Sequence, residues 1–212
     1  MQATRITAVR HGETDWNVQR RIQGHTDIEL NAAGRAQASK VASALGTEQI
    51  DAVYASDLQR AFATGAAIAA AAAAPLVAEP GLRERSFGAL ESRTFAQIEQ
   101  EWPDQARRWR KRDPHYAPEG GETLALLRER IAQVLARLAA NHTGGHVVLV
   151  THGGVLDMLY RLATGQDIQA ARTWQLPNAA LNRLLWTPES LTLVGWGDTQ
   201  HLELAGRDES FA

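Results

Sequence analysis

At 212 residues, 44% of them hydrophobic and with ordinary Gly and Pro counts, the chain is long enough to bury a sizeable core as one domain, so disorder is not the default reading. A formal net charge of -2 supplies no global field for nucleic acid or an anionic membrane, and the absence of Cys excludes a disulfide framework, a zinc-thiolate site and a thiol nucleophile. The start Met1-Gln2-Ala3-Thr4-Arg5 lacks an apolar secretory core, and the longest apolar run, Ala66 to Ala74, is far shorter than the roughly 20 residues of a membrane span, so a soluble cytoplasmic protein is expected.

Strand-like runs at Arg5-Val9, Asp51-Ala55, Leu76-Ala78 and His146-Thr151 alternate with longer helical patterns. A first helix is predicted from the capping residue Asn31 to about Leu45, before Gly46. A second follows Ser56-Asp57 and stops by Pro75. The region from about Ser86 to Gly121 breaks the alternation. It holds Trp102, Trp109 and the basic run Arg107, Arg108, Arg110, Lys111 and Arg112, and reads as an insertion or lid. Between Thr123 and Asn141, the residues Leu124, Leu127, Ile131, Val134, Leu135 and Leu138 repeat at helical spacing, an apolar stripe for packing on a sheet. Leu181-Trp186 and Leu191-Trp196 read as two strands joined by a tight loop, followed by a peripheral polar tail from Asp198. The pattern predicts a single-domain three-layer α/β sandwich over residues 1–212, with a mostly parallel central sheet flanked by helices.

In such a sheet, ligands gather beyond the carboxyl ends of the strands. Arg10-His11-Gly12 follows the first strand, Ser56-Asp57-Leu58-Gln59-Arg60 the second, and Thr151-His152-Gly153-Gly154 the fourth. Parallel strands would bring two histidines and two arginines to one edge. A neutral imidazole is a nucleophile for phosphorus, and a neighbouring guanidinium can hold phosphoryl oxygens while charge redistributes. No His-Glu-x-x-His or Cys/His pattern marks a metal site, and neither a P-loop nor a Gly-x-Ser-x-Gly elbow is present, so no metal and no cofactor are expected.

Val9-Arg10-His11-Gly12-Glu13-Thr14-Asp15-Trp16-Asn17 resembles the signature of the histidine phosphatase superfamily, in the branch of cofactor-dependent phosphoglycerate mutases and related phosphatases. Arg21 to Asp27, Leu30 to Gly34, Ser56 to Ala61, Leu82-Arg83-Glu84 and Val150 to Gly154 resemble further family segments in the expected order, across nearly the whole chain. The resemblance implies a phosphoglycerate-mutase-like fold and a phosphohistidine intermediate on His11. Arg10, Arg60 and a protonated His152 would spread the phosphoryl charge, with Asn17, Gln23, Gly24, Thr14 and Gly153 shaping the phosphate and substrate site. Glu84 would protonate the leaving alkoxide and then serve as base toward water. Glu13 is the competing carboxylate, and a surface ion pair with Arg83 or Arg85 is the alternative fate of Glu84.

The segment after Glu84, Arg85-Ser86-Phe87-Gly88-Ala89-Leu90-Glu91-Ser92-Arg93-Thr94, departs from the mutase pattern and resembles the Phe-Gly-x-Trp-Glu-Gly-x-Thr element of phosphatase-like members, with Leu90 in the Trp place and Ser92 in the second Gly place. Metal-independent phosphomonoester hydrolysis is therefore expected, the alternatives being mutase-type phosphoryl transfer and a non-catalytic phosphoryl-ligand binder. The expected partner is a small-molecule phosphomonoester rather than nucleic acid or membrane, and carboxyl-terminal Trp or Leu residues would allow a homodimer. The basic run is either a solvated helix face or a contact for a second anionic group of the substrate.

Overall fold

A computed structural model describes residues 2–203. Six strands form one mixed sheet: β1 (Thr4–Arg10), β2 (Ala52–Ala55), β3 (Leu76–Ala78), β4 (His146–Thr151), β5 (Leu181–Thr187) and β6 (Ser190–Asp198). Their order is β3-β2-β4-β1-β5-β6, parallel from β3 through β1 and antiparallel for β5 and β6. Strand β4 is buried along its whole length, as a central parallel strand covered on both faces must be, which explains its unbroken apolar run.

Alternation along the strands splits the core in two. Ile6, Ala8, Val147 and Leu149 point to one face, where α6 (Leu124–Ala140) and α7 (Gly153–Thr164) pack. Val9, Val53, Val148 and Val150 point to the other, under α2 (Ala32–Leu45) and α3 (Gln59–Ala71). The predicted stripe Leu124, Leu127, Ile131, Val134, Leu135 and Leu138 is the buried face of α6. Asn31 caps α2 through its side chain, and Thr123 caps α6 in the same way. Pro188-Glu189 makes the tight turn between β5 and β6.

α7 was not anticipated, because its start at Gly153-Gly154 has no side-chain cap and resembles loop composition. The 86–121 region, expected as an insertion or lid, contains regular structure. It carries α4 (Phe95–Glu101) and α5 (Pro103–Arg110), joined at Trp102 around a small cluster of Leu90, Ile98 and Ala106. The chain after Asp198 forms a short surface helix over its described part. There α8 (Gln200–Glu203) docks on α2, with Lys40 donating to the Leu202 carbonyl at 2.7 Å and Leu202 packing on the second core cluster. The remainder of the predicted tail lies outside the described residues. A four-residue helix, α1 (Asp15–Val18), follows the first strand. Among the described residues no helix is long and apolar enough to cross a membrane.

Candidate active site

The three strand-end segments do meet. β1, β2 and β4 are adjacent and parallel, so His11, Arg60 and His152 leave the sheet at the same edge. His11 and His152 face each other with ring centroids 5.1 Å apart. His11 borders a cleft of about 150 Å³, lined also by Arg10, Asn17, Gln23, Gly24, Arg60 and Glu84, among others.

His11 is held from both sides of its peptide. Its own N–H donates to the Thr151 carbonyl at 2.9 Å, and its carbonyl accepts from the Asn178 side chain at 2.8 Å. The ring Nδ1 lies 2.7 Å from the Gly12 carbonyl, which can only accept. The proton is thereby assigned to Nδ1, leaving the lone pair on Nε2. Burial pushes the His11 pKa well below the usual imidazole range, and the charges of Arg10 and Arg60 push it further the same way. The imidazole is therefore the neutral, nucleophilic form throughout the neutral pH range.

Arg60 is fully buried, and two of its nitrogens are planted on the carbonyls of Thr26 and Gly24 at 3.0 and 2.8 Å. Burial pulls its pKa down to about 10, with Glu84, Asp27 and Glu91 opposing, so it remains cationic. Arg10 donates to the Leu176 carbonyl. Its pKa is lowered mainly by burial, against the pull of Glu84 and with a push from Arg172. Three buried nitrogens around His11, namely Arg10 Nε, Arg60 Nε and His152 Nδ1, make no hydrogen bond among the described residues. An orphaned buried donor costs about 1–3 kcal/mol, so the two guanidinium nitrogens are unfavourable as they stand and would be relieved by an acceptor.

His152 lies across from His11. Its Nε2 lies 2.9 Å from the Ser56 hydroxyl, and burial, followed by the charges of Arg60, His11 and Arg10, holds its pKa well below the usual range. It is neutral in the unliganded site rather than an imidazolium, because desolvation and two guanidiniums outweigh any nearby carboxylate. The Ser56 hydroxyl can donate to Nε2 or accept from it, and the other ring nitrogen, Nδ1, is one of the three without a partner.

Glu84 is not in a surface ion pair. Arg83 is paired with Asp57 through Nε at 2.7 Å, and Arg85 donates to the carbonyls of Glu122 and Tyr116 at 2.7 and 2.9 Å. The Glu84 carboxylate instead accepts from the Gly154 N–H, at 3.1 and 3.0 Å to its two oxygens, and from the Arg85 N–H at 2.8 Å. The His25 ring donates to the Glu84 carbonyl at 2.9 Å. Glu13 does not border the cleft in this way, since its carboxylate accepts from the Asn31 side chain at 2.9 Å, beside α2.

The smaller site residues separate by what they touch. Thr14 is fully buried and caps α1, with its hydroxyl engaged by Asn17 and Gln23 at 3.1 Å each. Asn17 and Gln23 use their side-chain oxygens in these bonds, so their amide N–H groups remain for the cleft that both line. Gly24 has φ +53°, and a Cβ there would lie 2.1 Å from the Glu91 carboxylate, so only glycine fits this turn. Gly153 borders a neighbouring cavity with Arg10.

Sequence reasoning missed Asn178, Ser56 as the partner of His152, Gly154 and Glu91. Ser56 was visible in its strand-end segment, but Asn178 lies in an aperiodic loop with no local signal. Glu91 accepts from the N–H groups of His25, Thr26 and Phe87 and from the Thr26 hydroxyl at 2.6 to 3.1 Å. Burial raises its pKa, yet those hydrogen bonds prevail and hold it below the usual carboxylate value. It ties together the loop that seats Arg60 and the segment after Glu84.

The basic run is mostly solvated. Arg107, Arg108 and Arg110 pair with Asp104, Asp113 and Glu99 at exposed positions. Arg112 departs from this, being paired with the buried Asp157 on α7, which also accepts from Arg161 at 3.1 Å. Among the described residues no group of three or more His, Cys, Asp or Glu side chains is arranged to hold a metal ion. His142 contacts the Tyr54 hydroxyl and His146 the Thr7 hydroxyl, each at 2.9 Å.

Residues 6–199 match the family model of the histidine phosphatase superfamily (branch 1). The chain is 40% identical to phosphoglycerate mutase-like protein 4 of Arabidopsis thaliana over 205 residues, covering 95% of this chain and 88% of that protein. It is 36% identical to the metal-independent phosphoserine phosphatase of the same plant over 208 residues, covering 97% and 86%. Among solved structures, a mycobacterial glucosyl-3-phosphoglycerate phosphatase complexed with VO3 superposes with a TM-score of 0.83 at 31% identity, over 92% of this chain and 99% of that one. With its motifs in order along the chain and converging at one sheet edge, the protein belongs to branch 1 of the histidine phosphatase superfamily.

Proposed function

We propose that the protein hydrolyses small phosphomonoesters through a phosphohistidine on His11. The observation that carries this reading is the neutral His11 imidazole, its Nε2 lone pair free, beside three buried nitrogens without partners on Arg10, Arg60 and His152. In the first step Nε2 attacks phosphorus, the P–O bond to the leaving group breaks, and Glu84 in its protonated form transfers its proton to the departing oxygen. Arg10, Arg60 and His152 donate to the equatorial oxygens, and a phosphoryl dianion in their midst would restore the proton that burial removes from His152. Asn17 adds an amide N–H. In the second step water attacks the phosphohistidine, Glu84 as carboxylate takes its proton, the P–N bond breaks and inorganic phosphate leaves.

Water as the acceptor is supported by the segment after Glu84 and by the phosphatase names of two of the proteins this chain is similar to. Rapid mixing with a 32P-labelled phosphomonoester, followed by an alkaline quench that preserves phosphohistidine, is expected to place label on His11. A His11→Ala protein with wild-type turnover would overturn the mechanism. Isomerisation of phosphoglycerate without net phosphate release would point to a mutase, and tight binding without turnover to a binding protein.

A further inference from the structure

Beside the catalytic cleft, and sharing Arg10 and Phe87 with it, lies a second cavity of about 330 Å³. Its volume is that of a small-molecule site, ample for the carbon skeleton of a leaving group whose phosphoryl end rests on His11. One side is apolar, with Leu124, Leu127 and Met158, and Phe87 stacks on Trp109 with ring centroids 4.8 Å apart. Four guanidinium groups border it against one carboxylate, that of Asp157.

These four cations are not equivalent. Arg85 is buried and committed to the Glu122 and Tyr116 carbonyls, Arg112 is paired with Asp157, and Arg10 serves the cleft. Arg172 is exposed and, among the described residues, has no ion pair and no side-chain hydrogen bond. Its charge instead opposes those of Arg10 and Arg161, which depresses the proton affinity of both. Uncompensated like charges around a cavity are unfavourable in the empty protein and favourable once an anion enters.

We propose that Arg172 binds a second anionic group, a carboxylate carried by the leaving group of the phosphomonoester, while the apolar wall packs its carbon skeleton. The proposal rests on the phosphatase reading above. A single uncommitted guanidinium offers a planar two-donor fork, which matches the two oxygens of one carboxylate. A second phosphate dianion would need further free cations, and the other guanidiniums are engaged.

The test compares 3-phosphoglycerate with glycerol 3-phosphate, which carries a hydroxymethyl group in place of the carboxylate, by phosphate release from the full chain. The ratio of their kcat/KM values is expected to favour 3-phosphoglycerate by about tenfold or more, the scale of one charge-assisted hydrogen-bond pair. Arg172→Gln should bring the ratio close to one, chiefly through KM, and Arg172→Lys should retain part of it. A wild-type ratio near one, a ratio unmoved by Arg172→Gln, or a stronger preference for a bisphosphate of the same skeleton would overturn the carboxylate assignment. Phosphate release from p-nitrophenyl phosphate separates the two levels. If it occurs without the ratio, only the Arg172 subsite fails; if neither these esters nor p-nitrophenyl phosphate is hydrolysed, the phosphatase reading fails with it.

Discussion

Both carboxylate oxygens of Glu84 lie within 3.1 Å of the Gly154 backbone nitrogen, so a residue that follows β3 is fixed by the first turn of the helix that follows β4. The Glu84 carboxylate is thereby seated on a rigid element rather than left on its loop. A Cβ on Gly154 would lie 2.3 Å from Oε1 of Glu84, whereas one on Gly153 would have no neighbour nearer than 3.8 Å. Gly154→Ala is expected to cost about 100-fold in kcat on alkyl phosphates, the scale of a 1 Å misplacement of a reacting group. Gly153→Ala should cost at least tenfold less than that, on the same order-of-magnitude scale. Equal losses in steady-state assays of the two variants would show that Gly154 does not act through Glu84.

Glu84→Gln removes both proton transfers and should separate them by leaving group. Alkyl phosphates need the acid in the first step, and their turnover should fall by about 100- to 10,000-fold. An aryl phosphate leaves without a proton, so its first step survives while the second lacks its base. Stopped-flow assays should then show a burst of p-nitrophenol equal to the enzyme present, followed by slow turnover. A proportional loss for both substrate types, without a burst, would exclude Glu84 as acid and base.

Arg60→Lys tests geometry apart from charge. The guanidinium uses two nitrogens on the carbonyls of Gly24 and Thr26 and keeps Nε for the cleft, an arrangement that one ammonium cannot reproduce. A fall of about 100-fold or more in kcat/KM is expected, comparable to losing one oxyanion donor. A loss below about threefold, with an unchanged melting temperature, would mean that Arg60 contributes only its charge.

The buried histidines make stability dependent on pH. His11, His152, His146 and His201 all have pKa values lowered in the fold, with burial as the largest cause in each. The unfolded chain therefore binds more protons than the folded one below the ordinary imidazole value of about 6.5. Their contribution is fully present above that value and is lost as pH falls through it toward the lowered folded values, by up to about 1.4 kcal/mol per histidine per pH unit. Urea unfolding of the unliganded protein between pH 8 and 5 should show stability falling toward acid, the fall beginning near the unfolded imidazole value. Vanadate or phosphate should reduce the slope, since an anion at His152 favours its protonated form. A flat profile across this interval would contradict the neutral assignments.

Much of the site was legible because its residues sit in short segments immediately beyond strands. The apolar runs ending at Arg10 and Thr151 mark parallel strands, and their polar successors must emerge at the same edge. Asn31 announced α2 because a side-chain cap is a local interaction, and the apolar stripe from Leu124 to Leu138 announced α6 because its spacing is that of one helix face. The first turn of α7 gave no such notice, since two glycines carry no cap. The Thr14 hydroxyl, a candidate phosphate contact by sequence, caps α1 and bonds Gln23 in the fold, contacts that only the observed bonds reveal.

By itself the sequence determined the layered α/β arrangement, the family and the order in which the site segments arrive, because alternation of strand and helix and the chemistry of each motif are properties of neighbouring residues. The charge state of His152, the seat of Glu84 on Gly154 and the cavity edged by Arg172 were decided by the tertiary structure alone. Each depends on burial and on groups distant in the chain: Glu84 and Gly154 are 70 residues apart, and Ser56 and His152 are 96 apart. Desolvation and long-range hydrogen bonds exist only once the sheet has brought these segments to a single edge.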